Sequence, residues 1–173
     1  MIAVLCHIHK ASKVKRVLIL GRGGSGKSTL ASKLGEITGL PVIELDKIFW
    51  QPGLHALPPD EWSKVQRRLI AQDSWIMDGD LGQFDAVEVR LAAADTIIVL
   101  DFSLTRCAWR ALRRGRERSD FWRWLITYRR RSLPLLIQAV STFAPHAELH
   151  LIRNPKGLQL FVAGLEREFA KQN

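Results

Sequence analysis

The 173-residue chain is long enough for one domain with its own hydrophobic core, and its 47% apolar content argues against a disordered chain. Its two cysteines, Cys6 and Cys107, lie far apart and form no CxxC pair, which argues against a disulfide framework or a cysteine zinc site and makes a reduced cytoplasmic setting the expectation. The net charge is +9, and most of it lies in one segment described below.

Residues 1–13 precede the first predicted strand. Their apolar start, Met1–Cys6, has no basic region before it and is too short for the core of a signal peptide. We expect a poorly ordered extension here and a single folded domain over residues 14–173. The best candidate for a membrane segment, residues 133–144, is too short and contains Pro134 and Gln138, so no membrane association is predicted.

The stretch GRGGSGKST, residues 21–29, follows the apolar run 17–20. A glycine, four residues and then Gly-Lys-Ser let the backbone curl so that its N–H groups point at phosphate oxygens. A helix that starts near Lys27 adds its positive end to the same place. We therefore predict a phosphate-binding loop of the Walker A type between a strand and a helix, rather than a glycine-rich turn without a ligand.

The residues of this loop have separate predicted tasks. Lys27 reaches the β- and γ-phosphates of a nucleotide as a point charge, and Thr29 offers a hydroxyl toward the α-phosphate. The Ser28 hydroxyl completes a Mg²⁺ shell of water, phosphate and a carboxylate. The predicted nucleotide-binding residues are Gly21, Gly23, Gly24, Ser25, Gly26, Lys27, Ser28 and Thr29.

The rest of the chain alternates between strand and helix patterns. The predicted strands are residues 17–20, 42–46, 75–77, 96–100 and 148–152. The first predicted helices run from Lys27 to before Gly39 and from Pro58 to about Gln72, and a weaker one covers residues 84–91. The arginine-rich segment is predicted as two helices separated by Gly115, and another helix begins at Pro134. The last predicted helix is capped by Asn154 and runs from Pro155 to about Lys171. A turn is predicted at residues 50–53.

Strand and helix alternate five times, which is the pattern of a doubly wound α/β fold with a parallel five-stranded sheet. Ligands of such folds bind beyond the carboxyl ends of the strands. Asp46, Asp78 and Asp101 each lie at the end of a predicted strand, so we expect all three carboxylates to lie near the phosphate loop.

A resemblance rests on five segments of this chain: residues 21–46, 49–53 (FWQPG), 75–80 (WIMDGD), 96–114 and 128–134 (YRRRSLP). From about Val14 the chain resembles the small P-loop kinases of the adenylate kinase and shikimate kinase type. Within them it is most similar to bacterial adenylate-kinase-like proteins labelled DNA topology modulation proteins. The resemblance implies a P-loop NTPase fold with ATP and Mg²⁺ as cofactors, and a short arginine-rich helical lid at about 110–131 that closes over the ATP.

The resemblance also implies roles for single residues. Asp78 matches the carboxylate that holds Mg²⁺ together with Ser28, and Asp46 matches a position that contacts the phosphate acceptor. Arg110 and Arg114 match arginines that pack on the adenine and bind the transferring phosphate. With Lys27, these two arginines and Asp46 form the predicted catalytic set.

Each of these roles has a plainer alternative. Asp78 could cap the following segment, Asp46 could be a turn residue, and Asp101 is more consistent with a structural role. Nucleoside monophosphate kinases follow Asp-Gly with Phe-Pro-Arg, whereas here residues 80–82 are Asp-Leu-Gly, so the motif does not support a nucleotide acceptor.

Between Thr105 and Arg131 the chain has ten arginines and two acids, a local net charge of +8. The spacing of Arg106, Arg110, Arg113 and Arg114 predicts one basic side of a helix, where an anionic ligand would relieve the mutual repulsion. The three arginines at 129–131 could reach the phosphates or face outward toward nucleic acid. Interleaved aromatic residues are expected to pack beneath the lid rather than to stack on bases, and these are Trp109, Trp122 and Trp124.

The sequence therefore predicts an ATP-dependent kinase for a small acceptor, with a nucleoside monophosphate among the candidates. Two other functions remain open. One is an ATP-dependent protein that associates with nucleic acid through residues 106–131, and the other is a nucleotide-dependent switch with weak hydrolysis.

Overall fold

The computed structural model describes residues 14–51, 55–79, 87–115 and 119–171. The predicted extension at 1–13, part of the turn at 50–53 and the start of the helix predicted at 84–91 lie outside these residues. The described strands are β1 (Arg16–Gly21), β2 (Val42–Glu44), β3 (Trp50–Gln51), β4 (His55–Ala56), β5 (Trp75–Asp78), β6 (Thr96–Leu100) and β7 (Glu148–Ile152). The described helices are α1 (Lys27–Thr38), α2 (Leu45–Phe49), α3 (Pro59–Ile70), α4 (Val87–Ala93), α5 (Leu104–Arg114), α6 (Ser119–Phe143) and α7 (Pro155–Phe169).

Five strands form a parallel sheet in the order β2-β5-β1-β6-β7. The central strand β1 pairs with β5 on one side, where Ile19 lies opposite Asp78, and with β6 on the other, where Gly21 lies opposite Leu100. The predicted doubly wound parallel sheet is therefore confirmed. Its carboxyl edge holds the phosphate loop, which follows β1.

Helices cover both faces of this sheet. Because successive residues of a strand point to opposite faces, alternate residues of each buried strand belong to different cores. One core joins Leu18 and Val99 to side chains of α3, α4 and α6. The other joins Ile19 and Ile98 to side chains of α1, α5 and α7. Strands with two covered faces have continuous apolar sequences, which is why the central strands were predictable.

Two helix boundaries follow the predicted signals. Helix α1 starts directly after Gly26 and ends at Gly39, whose φ of 72° is the left-handed conformation common at helix C-termini. Helix α7 starts with Pro155, and the Asn154 side chain accepts a hydrogen bond of 2.8 Å from the Gly157 N–H.

Two other boundaries correct the prediction. Strand β2 ends at Glu44, and Asp46 lies in the first turn of α2, because Leu45 turns into the core and begins the helix there. The helix predicted to begin at Pro134 is the second half of α6, which continues through this exposed proline. Leu125 on one side of Pro134 and Leu136 on the other are both buried, so packing outweighs the lost N–H donor.

The predicted turn at 50–53 begins as the short strand β3, which pairs antiparallel with β4. None of the helices in the described ranges has the length and apolar character needed to cross a membrane.

Candidate functional site

The phosphate loop is held between β6 and α5 by close backbone contacts. Gly24 has a φ of 73°, and a Cβ atom placed there would lie 2.5 Å from the Cys107 carbonyl oxygen. Gly21 has a φ of 134°, and a Cβ there would overlap the Leu100 carbonyl. A side chain at either position would push the loop away from its neighbours, so these glycines set the loop conformation.

Lys27 lies across this loop. Its ammonium donates a hydrogen bond of 3.0 Å to the Gly21 carbonyl, and the Ser25 N–H donates to the Arg22 carbonyl at 3.1 Å, closing a turn. Ser28 and Thr29, the first residues of α1 after Lys27, are exposed. Their hydroxyls and the ammonium are therefore accessible to a ligand at the N-terminus of a helix, where phosphate binds well.

Asp78 lies beside this lysine at the end of β5 and is only 5% exposed. Burial raises the pKa of its carboxyl, while the Lys27 charge and a hydrogen bond with the Ser28 side chain lower it. One carboxylate oxygen, Oδ1, is buried without a hydrogen-bond partner. A buried carboxylate oxygen with spare capacity next to a hydroxyl is suited to a cation.

A second carboxylate, Glu44, was not predicted as a site residue. It ends β2 directly opposite Asp78 in the parallel register, and its charge contributes to raising the Asp78 pKa. Glu44 also accepts a hydrogen bond of 2.7 Å from Lys47. Its signal in the sequence was its place at the end of an apolar run, which the longer predicted strand obscured.

Asp46, the predicted acceptor contact, lies exposed in the first turn of α2, two residues beyond the end of β2. It is therefore at the carboxyl edge of the sheet but not at a strand end. Its proposed contact with the acceptor stays a prediction.

The four arginines of α5 lie within one sector of this continuous helix, as their spacing predicts, but they make different contacts. Arg110 donates a hydrogen bond of 3.3 Å to the Ser25 carbonyl, and Arg114 lies close enough to Asp78 to lower its pKa. Arg106 and Arg113 instead lie over the Phe102 and Trp109 rings, the latter at 4.1 Å from the ring centroid. Arg110 and Arg114 thus lie at the edge of this basic side that meets the site, and Arg106 and Arg113 contact aromatic rings instead.

Arg129 of α6 is used within the fold. Its guanidinium donates to both carboxylate oxygens of Asp101, at 3.1 and 3.0 Å, and to the Asp101 backbone carbonyl at 3.3 Å. Asp101 itself is 2% exposed. This bidentate pair joins α6 to the end of β6, in agreement with a structural role for Asp101. Arg130 and Arg131 are exposed.

Aromatic side chains of α6 cover the outer side of the loop. A Cβ atom on Gly23 would overlap the Phe121 ring and lie 3.0 Å from Trp124, and the Arg22 guanidinium lies 5.4 Å from the centre of the Tyr128 ring. Trp122 and Trp124 are half-buried, whereas Trp109 is 55% exposed, which contradicts the packing predicted for Trp109. The lid itself stays a prediction. Trp109 lies on the outward side of α5, away from the core.

The residues present fit a magnesium ion that arrives with phosphate. Ser28 and Asp78 would contribute the hydroxyl and the carboxylate, and Glu44 lies on the adjacent strand. In the described part of the chain no three His, Cys, Asp or Glu side chains form a metal cluster, so phosphate and water would have to supply most of the ligands.

No protein-family model matches the sequence, and no curated protein matches it. Solved structures do. A shikimate kinase from Acinetobacter baumannii in complex with shikimate is 14% identical, with a TM-score of 0.64 over 93% of this chain and 96% of that chain. A shikimate kinase from Bacteroides thetaiotaomicron is 14% identical, with a TM-score of 0.56 over 88% of this chain and 97% of that chain.

A gluconokinase from Sinorhizobium meliloti is 17% identical to the chain, with a TM-score of 0.51 over 91% of this chain and 93% of that chain. At such identities the likeness establishes the fold, which is the α/β fold of the small P-loop kinases. The predicted P-loop fold is confirmed, whereas the narrower resemblance to the topology modulation proteins stays a prediction.

Proposed function

We propose that this protein is a Mg-ATP-dependent phosphotransferase that moves the γ-phosphate to a hydroxyl group of a small acceptor. The observation that carries the proposal is the assembly at one edge of the sheet. Lys27 of the loop, Asp78 at the end of β5 and Arg110 of α5 come from three separate parts of the chain and meet there. The kinase fold of the structural neighbours supports the same reading.

Phosphoryl transfer requires alignment and stabilisation of the negative charge that spreads over the γ-phosphate oxygens. Lys27 and the two inward arginines, Arg110 and Arg114, would supply positive charge around those oxygens. When bound, Mg²⁺ would neutralise further charge on the phosphates, and Ser28 with Asp78 would hold it. The aromatic side chains of α6 would exclude water from the covered loop.

We place the acceptor beside the phosphate loop, where the surface is hydrophilic. An open groove of about 520 Å³ beside the loop is lined by hydroxyl and charged side chains, namely Ser28, Thr29, Ser32, Lys33, Glu36 and Glu44. Such a lining suits a hydroxylated small molecule, and one structural neighbour binds shikimate. Asp46 and Glu44 are the candidates to orient the acceptor hydroxyl. A nucleoside monophosphate remains the other acceptor class to test.

The test is ADP production from Mg-ATP with a panel of hydroxy acids, sugars, nucleosides and nucleoside monophosphates. The wild type is compared with Lys27→Ala and with Lys171→Ala, a matched loss of an exposed lysine at the other end of the chain. We expect turnover that one acceptor class stimulates and that only Lys27→Ala abolishes. Slow hydrolysis that no acceptor stimulates would instead favour a nucleotide switch.

One observation favours a second function, association with nucleic acid. The outward side of α5 presents Arg106, the exposed Trp109 and Arg113 stacked on its ring. Arginine and exposed aromatic rings are the groups that bind single-stranded nucleic acid. This would agree with the resemblance to the topology modulation proteins.

Binding of labelled DNA between about 50 and 200 mM salt tests this second function, because each protein contact with a phosphate adds to the salt dependence. Steep loss of affinity with salt, reduced in an Arg106→Gln/Arg113→Gln variant, would support it. Weak binding that is equal in the variant would contradict it.

A further inference from the structure

Arg22, the second residue of the phosphate loop, has no task in the mechanism above, yet its side chain is only 2% exposed. Arginine is almost never buried to this degree unless an acidic group pairs with it. The long Arg22 side chain is thus enclosed by the fold beside the phosphate loop.

The partners of Arg22 are neutral. One guanidinium nitrogen donates a hydrogen bond of 3.2 Å to the Phe102 carbonyl, and the face of the Tyr128 ring lies 5.4 Å away. The Nε atom is buried without a hydrogen-bond partner. Across residues 14–51, 55–79, 87–115 and 119–171 no carboxylate lies within ion-pair distance of this guanidinium. A carbonyl and a ring compensate a buried charge only in part.

Other cations surround the same place. Burial raises the pKa of the Cys107 thiol, and the nearby charges of Arg22, Lys27 and Arg110 act to lower it. Cys107 contacts the loop through its carbonyl, next to Gly24. Arg22 and Lys27 belong to this loop and Arg110 donates a hydrogen bond to it, so the group that would compensate these cations is an anion inside the loop.

We propose that Arg22 is a specificity-determining residue whose buried charge, compensated only in part by protein groups, selects ligands by the number of negative charges on their phosphates. It would favour di- and triphosphates over monophosphates through the local field, without a direct contact. The inference rests on the proposed nucleotide site but does not depend on phosphoryl transfer.

Removing the buried, poorly compensated charge of Arg22 should leave the stability of the ligand-free protein unchanged or raise it. The same change would weaken polyphosphate binding. Removing a side chain that only packs in the core should lower that stability. If Arg22 had a merely structural role, its replacement would lower the stability of the ligand-free protein and leave the preference among phosphate ligands unchanged.

The experiment measures dissociation constants for ADP, AMP and tripolyphosphate by calorimetry, and melting temperature without ligand. The variants are Arg22→Met, Arg22→Gln and Arg22→Lys, with Arg167→Met, an exposed arginine of α7, as the matched control. Arg22→Met and Arg22→Gln should weaken ADP and tripolyphosphate about tenfold and AMP clearly less, without lowering the melting temperature. Arg22→Lys should keep most of the affinity, and Arg167→Met should leave all values unchanged.

Equal loss for AMP, ADP and tripolyphosphate would overturn the proposal, and so would a lower melting temperature, or failure to fold, in both uncharged variants. If the wild type binds neither ADP nor tripolyphosphate, this inference and the proposed function are both wrong. If it binds both with the expected pattern but transfers no phosphate, only the proposed kinase function is wrong.

Discussion

At the residue scale, the carboxyl edge of the sheet combines groups that oppose one another. Asp78 and Glu44 are two acids at neighbouring strand ends, and Lys27 lies close to Asp78 on the loop. Burial raises the Asp78 pKa despite this lysine, because a buried carboxylate loses the water that stabilises its charge. This combination of charges supports the proposed ligand, which brings both phosphate and a cation.

Replacement Asp78→Asn tests this balance. A carboxyl whose pKa is raised in the folded state favours folding when protonated, and this contribution is lost as pH rises through that pKa. We therefore expect Asp78→Asn to raise the melting temperature of the ligand-free protein at pH 7. The difference should disappear as pH falls below the ordinary carboxyl pKa, where the wild type is protonated too.

The same Asp78→Asn variant should lose Mg-dependent ATP turnover by about 100-fold, since it removes the proposed metal ligand. The measurements are thermal unfolding between about pH 3.5 and 8 and ADP production at pH 7. A variant that is less stable than the wild type at pH 7 would show that the Lys27 attraction, rather than burial, dominates at Asp78.

Gly24→Ala tests the contact between the loop and α5. The new Cβ meets the Cys107 carbonyl and also requires an unfavourable φ, so we expect a loss of about 2 kcal/mol or more in unfolding free energy, with loss of nucleotide binding. Gly39→Ala is the matched control, because its φ of 72° is equally unfavourable but no atom lies within 4 Å of its Cβ. Chemical denaturation compares the two, and equal losses would mean that only φ matters.

At the element scale, α6 departs most from the sequence-based prediction, which placed a new helix at Pro134. It runs from Ser119 through Pro134 to Phe143 and contacts the core, the end of β6 and the phosphate loop. Helix signals are local, whereas the burial that keeps this helix continuous comes from distant strands. Pro134, which the sequence predicts at the start of a helix, is therefore tolerated in the interior of α6.

Pro134→Ala should stabilise the protein by about 1 kcal/mol or more, because it restores an N–H donor at an exposed interior position of α6. Pro59→Ala is the control, since Pro59 is exposed at the first position of α3, where a proline costs nothing. Urea unfolding of both variants measures the difference. Unchanged stability in Pro134→Ala would indicate that the surrounding packing had already adapted to the proline.

Much of the fold was predictable because its signals are local. The phosphate loop, the glycine that ends α1, the strand at 96–100 and the Asn154 cap each depend on neighbouring residues only. The prediction that the strand continues beyond Glu44 was wrong, because a short strand and a one-turn helix have the same apolar pattern there.

The site was predictable in part for the same reason. Loop residues follow from a motif, whereas the pairing of Glu44 with Asp78 depends on which strands are neighbours. The spacing of the α5 arginines predicts one basic side, but which of them contact the loop depends on how the helix packs against it. The burial of Arg22 requires Phe102 and Tyr128 from distant elements.

At the scale of the whole molecule, charge is distributed unevenly. The segment between residues 105 and 131 has a net charge of +8 out of +9. Several of its arginines are exposed, and these include Arg106, Arg113, Arg123, Arg130 and Arg131. Like charges so close together repel one another and reduce the stability of the folded state at low ionic strength.

We therefore expect the melting temperature of the ligand-free protein to rise by a few degrees between about 20 and 500 mM KCl, as salt screens this repulsion. Arg106→Gln/Arg113→Gln should respond less to salt than the matched surface variant Lys64→Gln/Lys171→Gln, which removes two charges outside the segment. Differential scanning fluorimetry measures both. A melting temperature that falls with salt would show that ion pairs such as Arg129–Asp101 outweigh the repulsion.

The central place of β1 in the sheet also bears on how the protein is made. Both neighbours of this first strand are synthesised much later, since Gly21 pairs with Leu100 and Ile19 with Asp78. At translation rates of about 5–20 residues per second, the apolar run 17–20 waits roughly 4–16 s for its second partner. We expect the phosphate loop, although it leaves the ribosome early, to be among the last parts to form, and the nascent chain to depend on chaperones until then.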